Sequence, residues 1–128
     1  MVRSRHPFRR TVARLERALK AHGMTLFARI DHAEAARRVG LCMPPATVLL
    51  AGNPRFGTPL MAAATTLAID LPAKLLVCEL GRSRAVWVVW NSFAYLGRRH
   101  RLAGGERGLR NADTTFRALI KRALVCRL

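Results

Sequence analysis

Apolar and polar positions follow two rhythms along this chain, one of about 3.6 residues and one of two, and the switches between them mark its elements. From Phe8 onward, Val12, Leu15, Ala18, Leu19 and His22 recur at helical spacing while Arg10, Arg14, Arg17 and Lys20 take the opposite face. This predicts a first helix that ends at Gly23. Between Met24 and Ile30, Leu26, Ala28 and Ile30 alternate with Thr25, Phe27 and Arg29, as a strand requires. Asp31 and Glu34 stand at capping-box spacing ahead of a short helix from His32 to Val39, closed by Gly40.

Pro44-Pro45 stops any continuation, and Thr47 to Ala51 has too few polar positions for a solvated face, which predicts a central strand. The strand ends in Gly52-Asn53-Pro54-Arg55-Phe56-Gly57-Thr58-Pro59, read as a surface turn. Thr58 then caps, and Pro59 starts, a helix running to about Ile69. That helix is almost wholly Leu, Met, Ala and Thr, so it is expected to lie buried against the sheet. Ala73 to Leu80 and Ala85 to Trp90 form a hairpin around Gly81-Arg82-Ser83-Arg84. Ser92 caps a brief helical turn, Arg98 to Arg110 reads as a mobile loop, and Asp113 caps a last helix whose stripe is Phe116, Leu119, Ile120, Ala123 and Leu124.

The pattern therefore predicts an α+β fold: one domain over residues 1–128, a mainly antiparallel sheet of about four strands, and helices packed against it. A length of 128 residues suffices for one core. Residues 1–7 are read as a disordered tail.

Four ordered blocks carry a resemblance: Phe27-Ala28-Arg29-Ile30-Asp31-His32 with Ala33-Glu34-Ala35-Ala36; Gly52-Asn53-Pro54 with Gly57-Thr58-Pro59-Leu60-Met61; Asp70-Leu71-Pro72; and Val86-Trp87-Val88 with Asn91, Tyr95-Leu96 and Arg99-His100. Over about residues 9–124 the chain resembles the bacterial and archaeal family called domain of unknown function 302. The resemblance implies a small α+β domain, often dimeric, with a strand ahead of the first helix. Arg3, Arg5 and Pro7 make a poor strand, so that strand is expected to be missing and the bare sheet edge to pair with a second copy.

Charge widens the range of partners. The chain carries a net +16 at pH 7, and all its basic residues except Lys20, Lys74 and Lys121 are arginines. Spread along the chain as they are, they suit solvated positions as well as a polyanion footprint. The densest cluster, Arg98, Arg99 and Arg101, is the candidate nucleic-acid contact, and it lacks the aromatic interleaving that single-stranded bases need. Cys42, Cys78 and Cys126 sit apart beside apolar residues, which suits buried thiols in a reducing, cytoplasmic setting. No apolar run approaches the ~18 residues of a membrane span.

Candidate chemistry centres on the turn. Asn53, Arg55 and Thr58 stand where a helix N-terminus could hold a small or anionic ligand, although Pro54 and Pro59 remove two donors. His32 beside Asp31 has the pairing of an oriented imidazole, and equally that of a helix cap followed by an exposed residue. Trp90, with Asn91 behind it, is the aromatic expected to meet a ligand if Trp87 faces the core. His6, His22, His32 and His100 and the three cysteines lack zinc spacing, so no metal site is predicted, while a haem or iron site built from distant histidines stays open. No nucleophile setting marks the chain as an enzyme. The leading expectation is a module that binds a small ligand or protein partner through Gly52 to Thr58, as a homodimer. Polyanion binding and an enzyme of anionic small molecules are the alternatives.

Overall fold

The computed structural model describes residues 1–125, which leaves Cys126 outside the described residues. Along the chain run β1 (Val2–Arg3), α1 (Phe8–Ala21), β2 (Thr25–Asp31), α2 (His32–Arg38), β3 (Ala46–Gly52), α3 (Pro54–Ala63), a 3-10 turn (Thr65–Ile69), β4 (Ala73–Leu80), β5 (Ala85–Trp90), α4 (Phe93–Arg99) and α5 (Glu106–Val125). The strands form one antiparallel sheet in the order β1-β5-β4-β3-β2. β3 is interior to the sheet, as its scarcity of polar residues predicts.

The sheet has five strands rather than about four because the first residues pair. Val2 stands opposite Val88 and Arg3 opposite Trp87, and the Ser4 amide donates to the Val86 carbonyl at 2.9 Å. Val2 and Ser4 are buried while Arg3 and Arg5 are exposed, a period-two pattern that the arginines disguise in the sequence. Residues 1–7 therefore include a strand, contrary to the expected disordered tail. The two-residue β1 covers β5 at Val88 and Trp87 and forms one short edge, while the long edge is β2, which is exposed at every residue except Leu26.

The core forms between one sheet face and two helices. Thr47, Leu49 and Ala51 on β3, Leu75 and Val77 on β4 and Val88 on β5 point to Val12, Leu15 and Leu19 of α1 and to Phe116, Ile120 and Leu124 of α5. Burial of the Val, Leu, Ile and Phe side chains among these, at about 1.5–3 kcal/mol each, is the main term holding the domain together. Arg14 departs from the solvated face assigned to it. It is buried and its Nε donates to the Ala123 carbonyl, a group near the α5 C-terminus where a cation complements the helix dipole.

Two further elements differ from the sequence reading. α3 starts at Pro54, capped by Asn53, whose side chain accepts from the Arg55 amide at 3.0 Å; Thr58 and Pro59 lie inside the helix. α3 also buries no residue, and its principal neighbour is the 3-10 turn that follows it. The region read as a mobile loop is mostly helix, with only residues 100–105 between α4 and α5. Asp113, expected as a helix cap, lies within α5 and caps α4 instead. Its carboxylate accepts from the Phe93 amide at 2.6 Å and the Ala94 amide at 3.0 Å.

Candidate functional site

An unburied yet apolar helix needs a physical reason, and the space beneath α3 supplies it. A cavity of about 610 Å³ lies between α3, the end of β3, the segment Leu71 to Ala73 and the first half of α5. Met61 and Phe56 face this space rather than the sheet, so the apolar side of α3 borders a void.

Local irregularities in the chain shape the cavity. Leu26 pairs with Ala51 and Ala28 with Leu50, which leaves Phe27 as the extra residue of a β-bulge. The bulge reverses the expected alternation: Leu26 and Arg29 share the face of Ala51 and Leu49, and Phe27 joins the cavity wall. At Gly52 a Cβ would stand 3.1 Å from Pro72 Cβ, close enough that Pro72 would have to give by a few tenths of an ångström, and 3.5 Å from Phe27, an ordinary contact, so glycine lets these two walls approach closely there. On the α5 side Gly108 lines the space, and a Cβ added there would meet nothing within 4 Å.

Aromatic rings dominate the lining. Phe27, Phe56, Phe93 and Phe116 border the cavity, four of the five phenylalanines in the chain. Phe93 holds Phe56 edge-to-face at 5.5 Å and Phe116 at 5.4 Å, and the Asp113 cap fixes the backbone that presents it. Although charged residues make up 23% of the sequence, no Asp, Glu, Lys or Arg is among the described lining residues. The polar groups are His22, Asn53, Thr58, Asn111 and Thr115.

Of the residues singled out in the sequence, the structure brings Asn53 and Thr58 to this cavity. Arg55 is exposed and outside the lining. His32 is an exposed first-turn residue of α2, behind the Asp31 cap that accepts from the Glu34 amide at 2.9 Å. Trp90 packs edge-to-face on Phe116 at 6.2 Å, behind the cavity wall, and Asn91 is exposed beyond the end of β5. Arg98 and Arg99 occupy the last turn of α4 and Arg101 the turn after it, all exposed. Cys78 is buried, which pushes its thiol pKa up, whereas Cys42 is exposed, contrary to expectation. Among the described residues no group of three His, Cys, Asp or Glu could hold a metal.

Sequence reasoning missed His22, the phenylalanine set and a second polar cluster. His22 follows α1, and its Nδ1 donates to the Ala18 carbonyl at 2.9 Å, because a carbonyl only accepts. In the second cluster the ring of His100 is bonded through Nε2 to Asp70 Oδ2 at 2.5 Å and through Nδ1 to Thr66 Oγ1 at 3.0 Å, with Arg99 3.4 Å from the same carboxylate. This cluster ties the end of α4 to the 3-10 turn, and none of its residues lines the cavity. Asp70-Leu71-Pro72 and Arg99-His100 appeared in the sequence as separate blocks, with no spacing signal that they meet.

Comparison with known proteins places the chain by sequence and by fold. Residues 1–124 match the family described as domain of unknown function DUF302. The chain is 37% identical over 119 residues to the protein named fluoride-specific ion channel FluC 1 of Brucella suis biovar 1 (strain 1330), covering 93% of this chain and 44% of that protein. It is equally identical to the protein of that name from Brucella abortus biovar 1 (strain 9-941), of which it covers 42%. The chain thus spans less than half the length of these curated relatives. The crystal structure of an uncharacterized conserved protein DUF302 from Bacillus stearothermophilus superposes with a TM-score of 0.85 over 95% of this chain and 94% of that one, at 19% identity, a likeness of fold.

Proposed function

This chain belongs to the domain of unknown function family DUF302, and from that premise we propose that it is a binding module for a small, largely apolar, uncharged ligand held beneath α3. The observation that carries the reading is the cavity of about 610 Å³, bordered by four phenylalanines and, among the described residues, by no Asp, Glu, Lys or Arg. Ligand sites are usually concave, mainly apolar, and furnished with a few polar groups that fix orientation. Asn53 and Thr58 supply such groups from the turn. The lining gives no support to an anionic substrate, since Arg55 and His32 lie outside it.

The longer relatives bear the name of an ion channel, and the role proposed for this chain is binding rather than conduction. Among the described residues no helix is long and apolar enough to cross a membrane.

The test uses Nile red, a neutral apolar dye that brightens and shifts to the blue when it leaves water. The chain is expected to bind it saturably, and Gly108→Leu to weaken that binding at least ~10-fold, a difference of about 1.4 kcal/mol. A Cβ at position 108 meets nothing within 4 Å, and leucine replaces a poor helix former, so the variant is expected to melt no lower than the wild type. Equal dye affinity in the two proteins would overturn the reading.

A further inference from the structure

We infer that the ligand of this cavity is a ring compound carrying one O–H or N–H donor, seated with its ring among the phenylalanines and its donor against Nε2 of His22. The inference rests on the binding role proposed above and narrows the chemistry of the occupant.

The ring follows from how the walls are made. Phe56, Phe93 and Phe116 succeed one another edge-to-face, with interplanar angles of 68° and 61°, so they meet the space in different orientations. Aromatic pairs gain about 0.5–1.5 kcal/mol beyond their area in edge-to-face or offset geometry, a term that an aliphatic chain does not collect. Phe27 and Phe56 are also 55% and 39% exposed, which leaves ring surface at the mouth for an occupant to cover.

The donor follows from His22. Its Nδ1–H is committed to the Ala18 carbonyl, so in the neutral ring Nε2 carries the lone pair and acts as an acceptor. The remaining polar lining is amide and hydroxyl, from Asn53, Thr58, Asn111 and Thr115, and Asn53 has already committed Oδ1 to the Arg55 amide. A carboxylate or phosphate would enter a wall whose described residues include no Lys or Arg and would lose much of its water there. A phenol-like group avoids that cost and supplies the hydrogen that His22 lacks.

Three probes separate the terms by calorimetric titration of the full chain: 2-naphthol, its methyl ether 2-methoxynaphthalene, and 1-octanol, a straight-chain alcohol of similar aversion to water. The expected order places 2-naphthol tightest, ~3- to 10-fold ahead of the ether, the usual worth of one neutral hydrogen bond. His22→Ala, an exposed position, is expected to bring the ratio of 2-naphthol to ether affinity down to about one, whatever both probes lose with the side chain's contact surface. Octanol binding as tightly as 2-naphthol would overturn the ring, and an advantage that survives in His22→Ala would overturn the donor. Either failure with Nile red still bound and still displaced by Gly108→Leu strikes this inference alone, whereas loss of the dye result removes the binding role as well.

Discussion

Asp70 is held charged by what surrounds it. The hydrogen bond from His100 depresses its pKa most, and Arg99, the His100 ring and Lys74 add to the depression, while partial burial works the other way. A carboxylate whose folded pKa lies below its unfolded value of 3.8 stabilises the fold fully above that value. Its contribution is lost as the pH falls through the depressed folded value. Asp70→Asn is therefore expected to lower the unfolding free energy at pH 6 by about 1.5–3 kcal/mol, the range of a hydrogen bond to a charged group. The gap between variant and wild type should close as acid protonates Asp70. Denaturant titrations at pH 6 and pH 3 check this, and a gap that stays constant would show that the carboxylate's charge contributes nothing. At this scale the turn after Gly52 was legible, because turn chemistry is local, but its cap is Asn53 rather than Thr58, which lies inside α3. His22 and the Asp70–His100 pair were not legible, since their roles depend on which elements the fold brings together.

Elements were legible where one face meets the core. The stripes of α1 and α5 appear in the sequence as Val12, Leu15, Leu19 and Phe116, Ile120, Leu124, and these side chains are buried as expected. α3 misleads because an apolar helix bordering a cavity has the same composition as one pressed on a sheet. β1 escapes notice because it is two residues long and flanked by arginines, and the bulge at Phe27 is silent in a sequence that alternates well. Asp113 misleads for a related reason: its residue type marks a cap, but the helix it caps is α4, 20 positions earlier in the chain. Asp113→Ala would remove acceptors from two α4 amides at once, at an expected cost of about 1–2 kcal/mol, the upper part of the range for a helix cap. Amide exchange at Phe93 and Ala94 should rise above that of their neighbours in α4. Protection unchanged at those two amides would assign the capping to Ser92, which accepts from the Tyr95 amide at 3.1 Å.

The molecule as a whole presents two surfaces of opposite character: an arginine-rich exterior with a net charge of +16, and a cavity with no Asp, Glu, Lys or Arg among its described lining residues. The polyanion and small-ligand readings differ in their expected response to salt. Attraction to nucleic acid through Arg98, Arg101 and the other exposed arginines releases condensed counterions. The logarithm of its affinity should therefore fall linearly with the logarithm of salt concentration, by about 0.9 for each phosphate neutralised on duplex DNA. Arg99 is already engaged with Asp70 at 3.4 Å, so Arg98 and Arg101 are the cleaner probes of this surface. Arg101 has a φ of 53°, a conformation that asparagine tolerates, so Arg98→Gln with Arg101→Asn removes charge with little strain. That double variant should reduce the salt slope by up to about 2. Nile red binding should respond neither to the double variant nor, beyond a small change, to salt, because apolar burial carries no counterions. If DNA affinity persisted at physiological salt with a preference between sequences, the arginine exterior would be a recognition surface in its own right. If affinity collapses equally for every sequence, the charge is a general property of the exterior, and the arginines recognise no particular nucleic acid.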